Sequence, residues 1–290
     1  MTHRDLELMA NDIRQDIIKM LVEAGSGHSA GPLGLADIFT ALYFEVLNHR
    51  PKQPDWPERD RLFLSNGHTV PVRYAAMARA GYLPLEELQT LRKFGSRLQG
   101  HPERVRLPGL ESTSGPLGSG LSQAAGHALA LRMDGSHSRV YCVTGDGELD
   151  EGNAWEAIMF AAAKKLNNLT AIVDRNNIQI DGPTERVMPL DSLAAKWAAF
   201  GWHVIEIDGH NFDAIISACN LAKAVVERPT VIIAHTIPGK GVDYMEYDYH
   251  WHGNPPGTLD TPGAPPKADQ AKVALHELRT LGGRIRSEHE

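Results

Sequence analysis

The stretch Val143-Thr144-Gly145-Asp146-Gly147-Glu148 decides the fold, because an apolar run precedes it and a helical pattern follows it. Such a short apolar run predicts a buried strand, and ligands of open α/β sheets bind at the carboxyl ends of strands. The glycines on either side of Asp146 permit a tight turn and let the backbone approach an anion, to which the first amides of the next helix can donate. Asp146 is then expected to be free to face a cation.

A second polar stretch, Asp174-Arg175-Asn176-Asn177-Ile178, begins 28 positions after Asp146 and again directly follows an apolar run. The carboxyl ends of parallel strands meet at one edge of a sheet, so the two loops are expected to converge. Mg²⁺ takes about six oxygen ligands in octahedral array. Asp146, the side-chain carbonyl of Asn176 and the backbone carbonyl of Ile178 would supply half of them, and two diphosphate oxygens and a water could complete the shell.

Each stretch also has a simpler interpretation when taken alone. Gly-Asp-Gly can be an ordinary strand-to-helix turn, and the pair Asn176-Asn177 can satisfy local backbone groups. Taken together, at two strand ends and at this separation, the motifs resemble the fingerprint of thiamine diphosphate-binding proteins. The sequence therefore predicts a metal and diphosphate site at the edge of a sheet.

The rest of the chain alternates between strand and helix patterns. Apolar residues recur at three- and four-residue spacings from Leu6 to Leu21, which predicts a helix that ends at Gly25-Ser26-Gly27. The alternation is typical of an α/β fold, namely a doubly wound, mostly parallel sheet with helices on both faces. The predicted strands are 61–64, 140–143, 169–173, 204–207 and 230–234, and the other predicted helices are 35–47, the segment after Gly120, 154–165, 190–200 and 212–226.

The domain organisation follows from the loops. Residues 95–120 are rich in Gly, Pro, Ser and Thr, and so long a loop inside a compact domain is usually either functional or disordered. Residues 1–253 are predicted to form one domain that binds the diphosphate and the metal. The prolines after Gly253 indicate that 254–290 is a C-terminal extension or a partner-binding arm.

Composition and charge exclude several classes of function. The chain has 29 Lys and Arg against 36 Asp and Glu, and its formal charge of -7 argues against binding to nucleic acid. A span of about 18 to 20 apolar residues and a signal-peptide pattern are both missing, so no membrane association is predicted. Two cysteines without a CxxC spacing fit a reducing cytoplasm.

Several further motifs widen the resemblance. They are Gly25-Ser26-Gly27-His28, Leu64-Ser65-Asn66-Gly67-His68, Gly100-His101-Pro102-Glu103, Gly115-Pro116-Leu117-Gly118-Ser119-Gly120 and Trp251-His252-Gly253. In this order they are similar to the histidine-bearing loops and the cofactor loop of transketolase. The chain resembles the N-terminal, diphosphate-binding half of that family over nearly its whole length.

The resemblance implies a role for each residue of the predicted site. Thiamine diphosphate would be bound together with Mg²⁺, Ca²⁺ or Mn²⁺, and Glu151 would support a carboxylate across an interface and so serve both cofactor and catalysis. The remaining roles are as follows: Asp146, Asn176 and Ile178 hold the metal, Gly147 and His68 contact the diphosphate, Gly115 and Leu117 touch the cofactor rings, and His28, His101 and His252 bind sugar hydroxyls or shuttle protons, with His252 also at the cofactor.

The histidines support this interpretation on chemical grounds as well. Imidazole titrates near neutrality and both donates and accepts hydrogen bonds, so it suits hydroxyl recognition and proton transfer. The chain has 14 histidines, and for any one of them a solvated or backbone-capping role is the alternative. No HxxxH spacing joins them, which argues against a metal site made of histidines.

The function implied by the resemblance is transfer of a two-carbon ketol unit from a ketose phosphate to an aldose phosphate. The half that holds the pyrimidine ring is missing, so the resemblance implies a C-terminal partner chain and an assembly such as α2β2. The alternatives are the α subunit of a 2-oxo-acid dehydrogenase, a 1-deoxyxylulose-phosphate synthase-like half, and a noncatalytic cofactor-binding module. The histidine loops argue against the first, the GHPE and WHG motifs against the second, and the retained polar residues against the third.

Overall fold

The computed structural model of the chain describes residues 1–280, which fold around a five-stranded parallel sheet. The strand order β1-β2-β3-β7-β6 means that the chain passes over one position after β3 and then returns, and the separate β4–β5 pair is antiparallel. This confirms the predicted doubly wound sheet. The strands are β1 (Arg61–Leu64), β2 (Val140–Gly145), β3 (Leu169–Arg175), β4 (Ile178–Gln179), β5 (Gly182–Pro183), β6 (His203–Asp208) and β7 (Thr230–His235).

Helices cover both faces of this sheet, as predicted. None of the helices within residues 1–280 is long and apolar enough to cross a membrane. The helices are α1 (His3–Ala24), α2 (Ala30–Gly34), α3 (Ala36–Ala41), α4 (Val70–Ala80), α5 (Ser119–Met133), α6 (Gly152–Ala163), α7 (Thr184–Val187), α8 (Leu193–Ala199), α9 (Phe212–Ala224) and α10 (Lys267–Thr280).

The alternation of side chains along β2 explains why two cores form. Tyr141 and Val143 pack into the core that contains α1, α3, α4, α9 and α10. Val140 and Cys142 point to the other face and pack with α5, α6 and α8. Successive strand residues face opposite sides, so a strand buried on both faces reads as a continuous apolar run.

The first helix shows how local sequence fixes a loop of the site. Thr2 and Asp5 form a capping box at the start of α1, with the Thr2 hydroxyl accepting from the Asp5 amide at 3.2 Å. The helix ends at Gly25, whose φ of 64° lies in the left-handed region that glycine adopts without strain. The chain therefore leaves α1 at a defined point and turns into the loop that carries His28.

Two long helices, α4 and α10, were not predicted. The predicted helix 35–47 is observed as α3 followed directly by a π-helical turn, Leu42–Val46, and the short helix α2 before it was not predicted. Helix α4 is buried on nearly all sides, so its sequence lacks the polar face that marks a helix. The prolines that precede α10 hide its helical pattern.

The described part of the C-terminal extension packs against α1. Gln270 is fully buried and its Nε2 donates to the carbonyl of Leu259 at 2.7 Å. The Nδ2 of Asn11 donates to the carbonyl of Leu278, also at 2.7 Å. Residues 281–290, the end of the predicted arm, lie outside the described residues, and the domain boundary after Gly253 stays a prediction.

Candidate active site

A cleft of about 350 Å³ lies at the carboxyl edge of the sheet, where the loops after β1, β2 and β3 converge. The strand register causes this convergence, because Gly145 at the end of β2 stands opposite Asp174 in β3. The structure brings ten of the eleven predicted site residues together around the cleft. They are His28, His68, His101, Gly115, Leu117, Asp146, Gly147, Asn176, Ile178 and His252.

Asp146 is 1% exposed, and both of its oxygens are hydrogen-bonded. Oδ1 accepts from the amide of Gly147 at 2.7 Å. Oδ2 accepts from the guanidinium of Arg175 at 3.0 Å and from the amide of Asn177 at 2.8 Å. The carboxylate is therefore not free of partners as the sequence suggested, although Oδ1 retains room for one more.

Asn176 is held by its neighbours. Its Nδ2 donates to Oδ2 of the buried Asp174 at 2.8 Å, and its Oδ1 accepts from the amide of Ile178 at 3.0 Å. The hydroxyl of Thr236 in turn donates to the other oxygen of Asp174. Asp174 therefore fixes the orientation of the amide that the sequence predicts to be a metal ligand, in the way that outer carboxylates orient ligands elsewhere.

Burial of these carboxyl groups makes their charged forms costly. Desolvation raises the pKa of Asp146 to about 6, and the neighbouring Arg175 and backbone donors oppose that rise. Desolvation also raises the pKa of Asp174 to about 7, with Asp146 adding to the effect. A bound cation would relieve this cost for Asp146, since opposite charge favours the ionised form.

Four histidine rings that also line this cleft lie close to one another. The ring centroid of His28 lies 4.8 Å from that of His68, 5.5 Å from that of His252 and 6.3 Å from that of His101. The rings of His68 and His252 are 5.0 Å apart. Four separate loops thus build a single imidazole cluster, which is suited to binding several hydroxyl groups at once.

The histidine cluster is held uncharged. Desolvation, followed by the charges of His252, His101 and Arg92, lowers the pKa of His28 to about 3. Burial likewise lowers the pKa of His68, His101 and His252. Neutral imidazoles can accept a proton at neutral pH, so the cluster can act as a base as well as a hydrogen-bond donor.

The depressed pKa of His28 predicts a specific dependence of stability on pH. The unfolded chain binds a proton at this residue near pH 6.5, whereas the folded chain does so only near 3, so this contribution to stability is present above 6.5 and is lost as the pH falls. We expect His28→Asn to flatten the decline of the unfolding free energy between about pH 6 and pH 4 by about 1.4 kcal/mol per pH unit. Urea denaturation of both proteins at each pH measures the slope, and equal slopes would show that His28 is protonated in the folded chain.

Glu148 joins three of the loops that form the cleft, although it was not among the predicted site residues. It is 3% exposed, and its carboxylate accepts from the hydroxyls of Ser65 and Thr144. It also accepts from the amides of Gly118 at 2.7 Å and Gly145 at 3.1 Å. The carboxylate thereby connects the ends of β1 and β2 to the Gly115–Gly120 loop, and its position two residues after Asp146 was the available signal.

A close approach at Gly120 fixes the start of α5 against the end of β1. The amide of Gly120 donates to the hydroxyl of Ser65 at 3.0 Å. A Cβ at Gly120 would stand 2.5 Å from the Cα of Ser65, a distance that no side chain could accommodate without moving the backbone. The glycine is needed for this contact, and the contact places Gly115 and Leu117 at the cleft.

Glu151 is the predicted site residue that the structure does not place at the cleft. It is exposed, directly precedes α6 at the N-cap position, and lies beside Gly118, where a Cβ would come within 2.9 Å of the Glu151 Cβ. A second protein chain could therefore contact its side chain. The predicted role across an interface therefore stays a prediction.

A larger cleft of about 880 Å³ lies between the loop before β1 and helix α5. Arg59 in this cleft is paired with Glu111, and Arg61 donates to the carbonyls of Arg59 and Pro57. These two arginines are thus engaged locally. The smaller cleft at the sheet edge is the better candidate, because four histidines and two buried carboxyl groups with shifted pKa values converge there.

The donors at the sheet edge fit a small hard cation and an anionic ligand. Asp146 and Asn176 offer the oxygen ligands that Mg²⁺ prefers. Within residues 1–280 no group of three or more His, Cys, Asp or Glu side chains is arranged to hold a metal, so a metal here would need backbone or ligand oxygens as well. The amide side chain of Asn66 lines the same cleft and is buried without a hydrogen-bond partner among the described residues. A phosphoryl group would satisfy such a donor.

Comparison with known proteins gives a consistent result. Residues 6–264 match the family model for the thiamine diphosphate-binding domain of transketolase. The 6-deoxy-6-sulfo-D-fructose transketolase subunit of Clostridium sp. (strain MSTE9) is 46% identical over 242 residues, covering 83% of this chain and 88% of that protein. One of the subunits of apulose-4-phosphate transketolase from Phocaeicola vulgatus is 40% identical over 251 residues, covering 87% and 89%.

A solved structure shows the same fold in a longer protein. The R525L mutant of transketolase from Pichia stipitis superposes with a TM-score of 0.87 at 34% sequence identity. The match covers 94% of this chain but 40% of the solved chain. The chain thus spans less than half of the single-chain enzyme, while it spans most of the two bacterial relatives that are named as subunits.

Proposed function

The chain belongs to the transketolase family, in its thiamine diphosphate-binding domain, and from this premise we propose that it is the N-terminal subunit of a split transketolase. It would transfer a two-carbon ketol unit from a ketose phosphate to an aldose phosphate. The observation that carries the proposal is a single cleft. It is lined on one side by Asp146 and Asn176, the candidate ligands for a metal and a diphosphate, and it also contains a cluster of four neutral histidines. A ketol transferase needs both halves of this cleft, since it must hold a cofactor and a polyhydroxylated substrate.

The cofactor and its metal would lie along the sheet edge. Asp146 and Asn176, with the carbonyl of Ile178, would hold Mg²⁺, or Ca²⁺ or Mn²⁺ in its place. Gly147 and His68 would contact the diphosphate. When bound, thiamine diphosphate supplies the carbanion stabilisation that breaking and forming a carbon–carbon bond requires.

The chain's own contribution to the chemistry would come from the histidine cluster. His28, His101 and His252 would donate hydrogen bonds to the hydroxyls of the sugar and orient it. A neutral imidazole would accept the proton of a donor hydroxyl as the donor ketose is cleaved, and it would return that proton when the new ketose forms. The depressed pKa values keep these groups unprotonated at neutral pH, and His101 and His252 are the better candidates for the base, because a pKa of about 3 makes His28 a weak proton acceptor.

A second chain would complete the site. The relatives named as subunits have lengths similar to this chain, and the single-chain enzyme is more than twice as long. The exposed position of Glu151 at the start of α6 supports a contact with the partner's pyrimidine-binding half. We propose an α2β2 assembly in the cytoplasm, because a shared two-chain site commonly occurs in symmetric oligomers.

Reconstitution tests this function directly. Purified chain alone is expected to show no detectable ketol transfer. Addition of a C-terminal partner chain, encoded beside it, should raise the rate to at least about a hundredfold above the detection limit, because only the pair positions both ends of the cofactor. Transfer from a ketose phosphate to an aldose phosphate is followed with thiamine diphosphate and Mg²⁺ present. Phosphates of common ketoses and a sulfonated ketose should be compared, given the substrates named for the two relatives.

Several outcomes would contradict the proposal. Full turnover by the chain alone would refute the split enzyme. Decarboxylation of a 2-oxo acid without ketol transfer would indicate a dehydrogenase subunit, and condensation of pyruvate with an aldose phosphate would indicate the deoxyxylulose-phosphate reaction. Cofactor binding without any turnover by the pair would indicate a binding module.

A further inference from the structure

Asn66 stands between β1 and the short 3-10 turn Gly67–Thr69, and its backbone is firmly held. The amide of Ser65 donates to the carbonyl of Val143 at 2.8 Å. The carbonyl of Asn66 accepts from both the amide and the hydroxyl of Thr69 at 2.9 Å. The position of the Asn66 side chain is thus set by the fold and not by its own polar contacts.

The side-chain amide of Asn66 has no hydrogen-bond partner within residues 1–280. The residue is 1% exposed, and both its Nδ2 and its Oδ1 are buried and unpaired. Other buried asparagines are at least half satisfied, since Asn11 donates to Leu278 and Asn176 donates to Asp174. Burying both ends of an amide without partners is costly, so the observation calls for a ligand that pairs with them.

The surroundings indicate what kind of ligand this is. Asn66 lines the same cleft as Asp146, and a Cβ at Gly145 would lie 3.9 Å from the Asn66 Nδ2. The side chain therefore reaches the edge at which the diphosphate is expected. A neutral amide donates to a phosphoryl oxygen without adding a positive charge that would compete with a divalent cation.

We propose that Asn66 binds the diphosphate of the cofactor, with Nδ2 donating to a phosphoryl oxygen and Oδ1 accepting from a water in the same cleft. The inference rests on the proposed function and adds a residue to its binding site. In the ligand-free protein the unpaired amide of Asn66 lowers stability, and hydrogen bonds to the bound ligand offset this loss. Stability of the empty chain and affinity for the cofactor should therefore change in opposite directions when the amide is replaced.

Asn66→Leu and Asn66→Ala test this inference, with Asn11→Leu as the matched control. Leucine keeps the branched shape without the polar atoms, and alanine removes most of the side chain, so a packing fault in one variant does not decide the result. Calorimetry on the heteromer measures binding of thiamine diphosphate with Mg²⁺ and, separately, of inorganic diphosphate with Mg²⁺. Thermal unfolding of the isolated chain without ligand measures stability.

Both Asn66 variants should bind each diphosphate compound about 10- to 100-fold more weakly, the loss expected for a hydrogen bond to a charged group. The melting temperature of the ligand-free Asn66→Leu chain should equal or exceed that of the wild type. Asn11→Leu breaks a bond far from the cleft, so it should lower the melting temperature and leave affinity within about twofold.

Two kinds of result would overturn the inference, and they separate it from the function on which it rests. Unchanged affinity of the Asn66 variants, with normal binding by the wild type, would show that the amide does not contact the diphosphate. Weaker binding of thiamine diphosphate with unchanged binding of inorganic diphosphate would place the contact at another part of the cofactor and also overturn it. A wild-type heteromer that binds no thiamine diphosphate would instead refute the proposed function together with this inference.

Discussion

Asp146→Ala is expected to abolish magnesium-dependent binding of thiamine diphosphate and to lower ketol transfer by the reconstituted pair at least about a thousandfold. Asp146 is the only carboxylate among the three predicted metal ligands. A metal that stabilises charge lowers an activation barrier by several kcal/mol, and each 1.4 kcal/mol changes the rate about tenfold. The raised pKa of Asp146, about 6, shows that burying its charged form costs free energy in the wild-type chain. A role in binding explains a buried carboxylate better than a role in stability does.

The measurement is calorimetric titration of Mg²⁺ and cofactor into the variant pair, followed by an activity assay. The variant should still fold, because Arg175 keeps its ion pair with Glu185 when Asp146 is removed. Asp213→Ala, whose side chain is 86% exposed on α9, is the control and should leave both properties unchanged. Normal cofactor uptake by the Asp146 variant would place the metal elsewhere, and a pair that assembles but shows no turnover with either the wild-type chain or the variant would favour a noncatalytic module.

The sequence predicted the strands of the sheet well, for a physical reason. A parallel strand that is buried on both faces must be apolar throughout, and β2 and β3 are written as short apolar runs that stop at polar loops. Helix α4 was missed for the same reason, since burial on nearly all sides removed its polar stripe. Helix α10 was missed although its buried residues, Gln270, Ala274 and Leu278, are spaced by four, because the prolines before it indicated an extended arm.

The site residues that stand in local sequence motifs could be predicted, whereas those that depend on distant loops coming together in the fold could not. Asp146 and Asn176 stand in motifs that follow strands, so their meeting at one edge could be inferred from topology. The burial of Asn66 and the hydrogen bonds of Glu148 and Asp174 could not, even though Glu148 and Asp174 stand beside the motif residues, because they depend on segments that are distant in the chain. Ser65 and Glu148 are 83 positions apart in the chain, and their hydrogen bond exists only in the folded protein.

Glu148→Ala is expected to lower the unfolding free energy of the isolated chain by about 3 to 5 kcal/mol. The substitution removes the acceptor that four donors share, namely the hydroxyls of Ser65 and Thr144 and the amides of Gly118 and Gly145. Within residues 1–280 only the Thr144 hydroxyl keeps a second contact, at 3.3 Å from the carbonyl of Gly145. Relief of the desolvation that raises the pKa of this carboxyl would offset only part of the loss.

Glu148→Gln separates the loss of acceptors from the loss of packing, because it keeps the size of the side chain. One end of the glutamine amide is a donor and would face groups that also donate, so we expect an intermediate loss of stability in urea denaturation. Both variants should also weaken cofactor binding, since the Gly115–Gly120 loop would no longer be tied to the ends of β1 and β2. Wild-type stability of both variants would mean that water replaces the carboxylate at little cost, and the loops would then be positioned by backbone contacts such as that between Gly120 and Ser65.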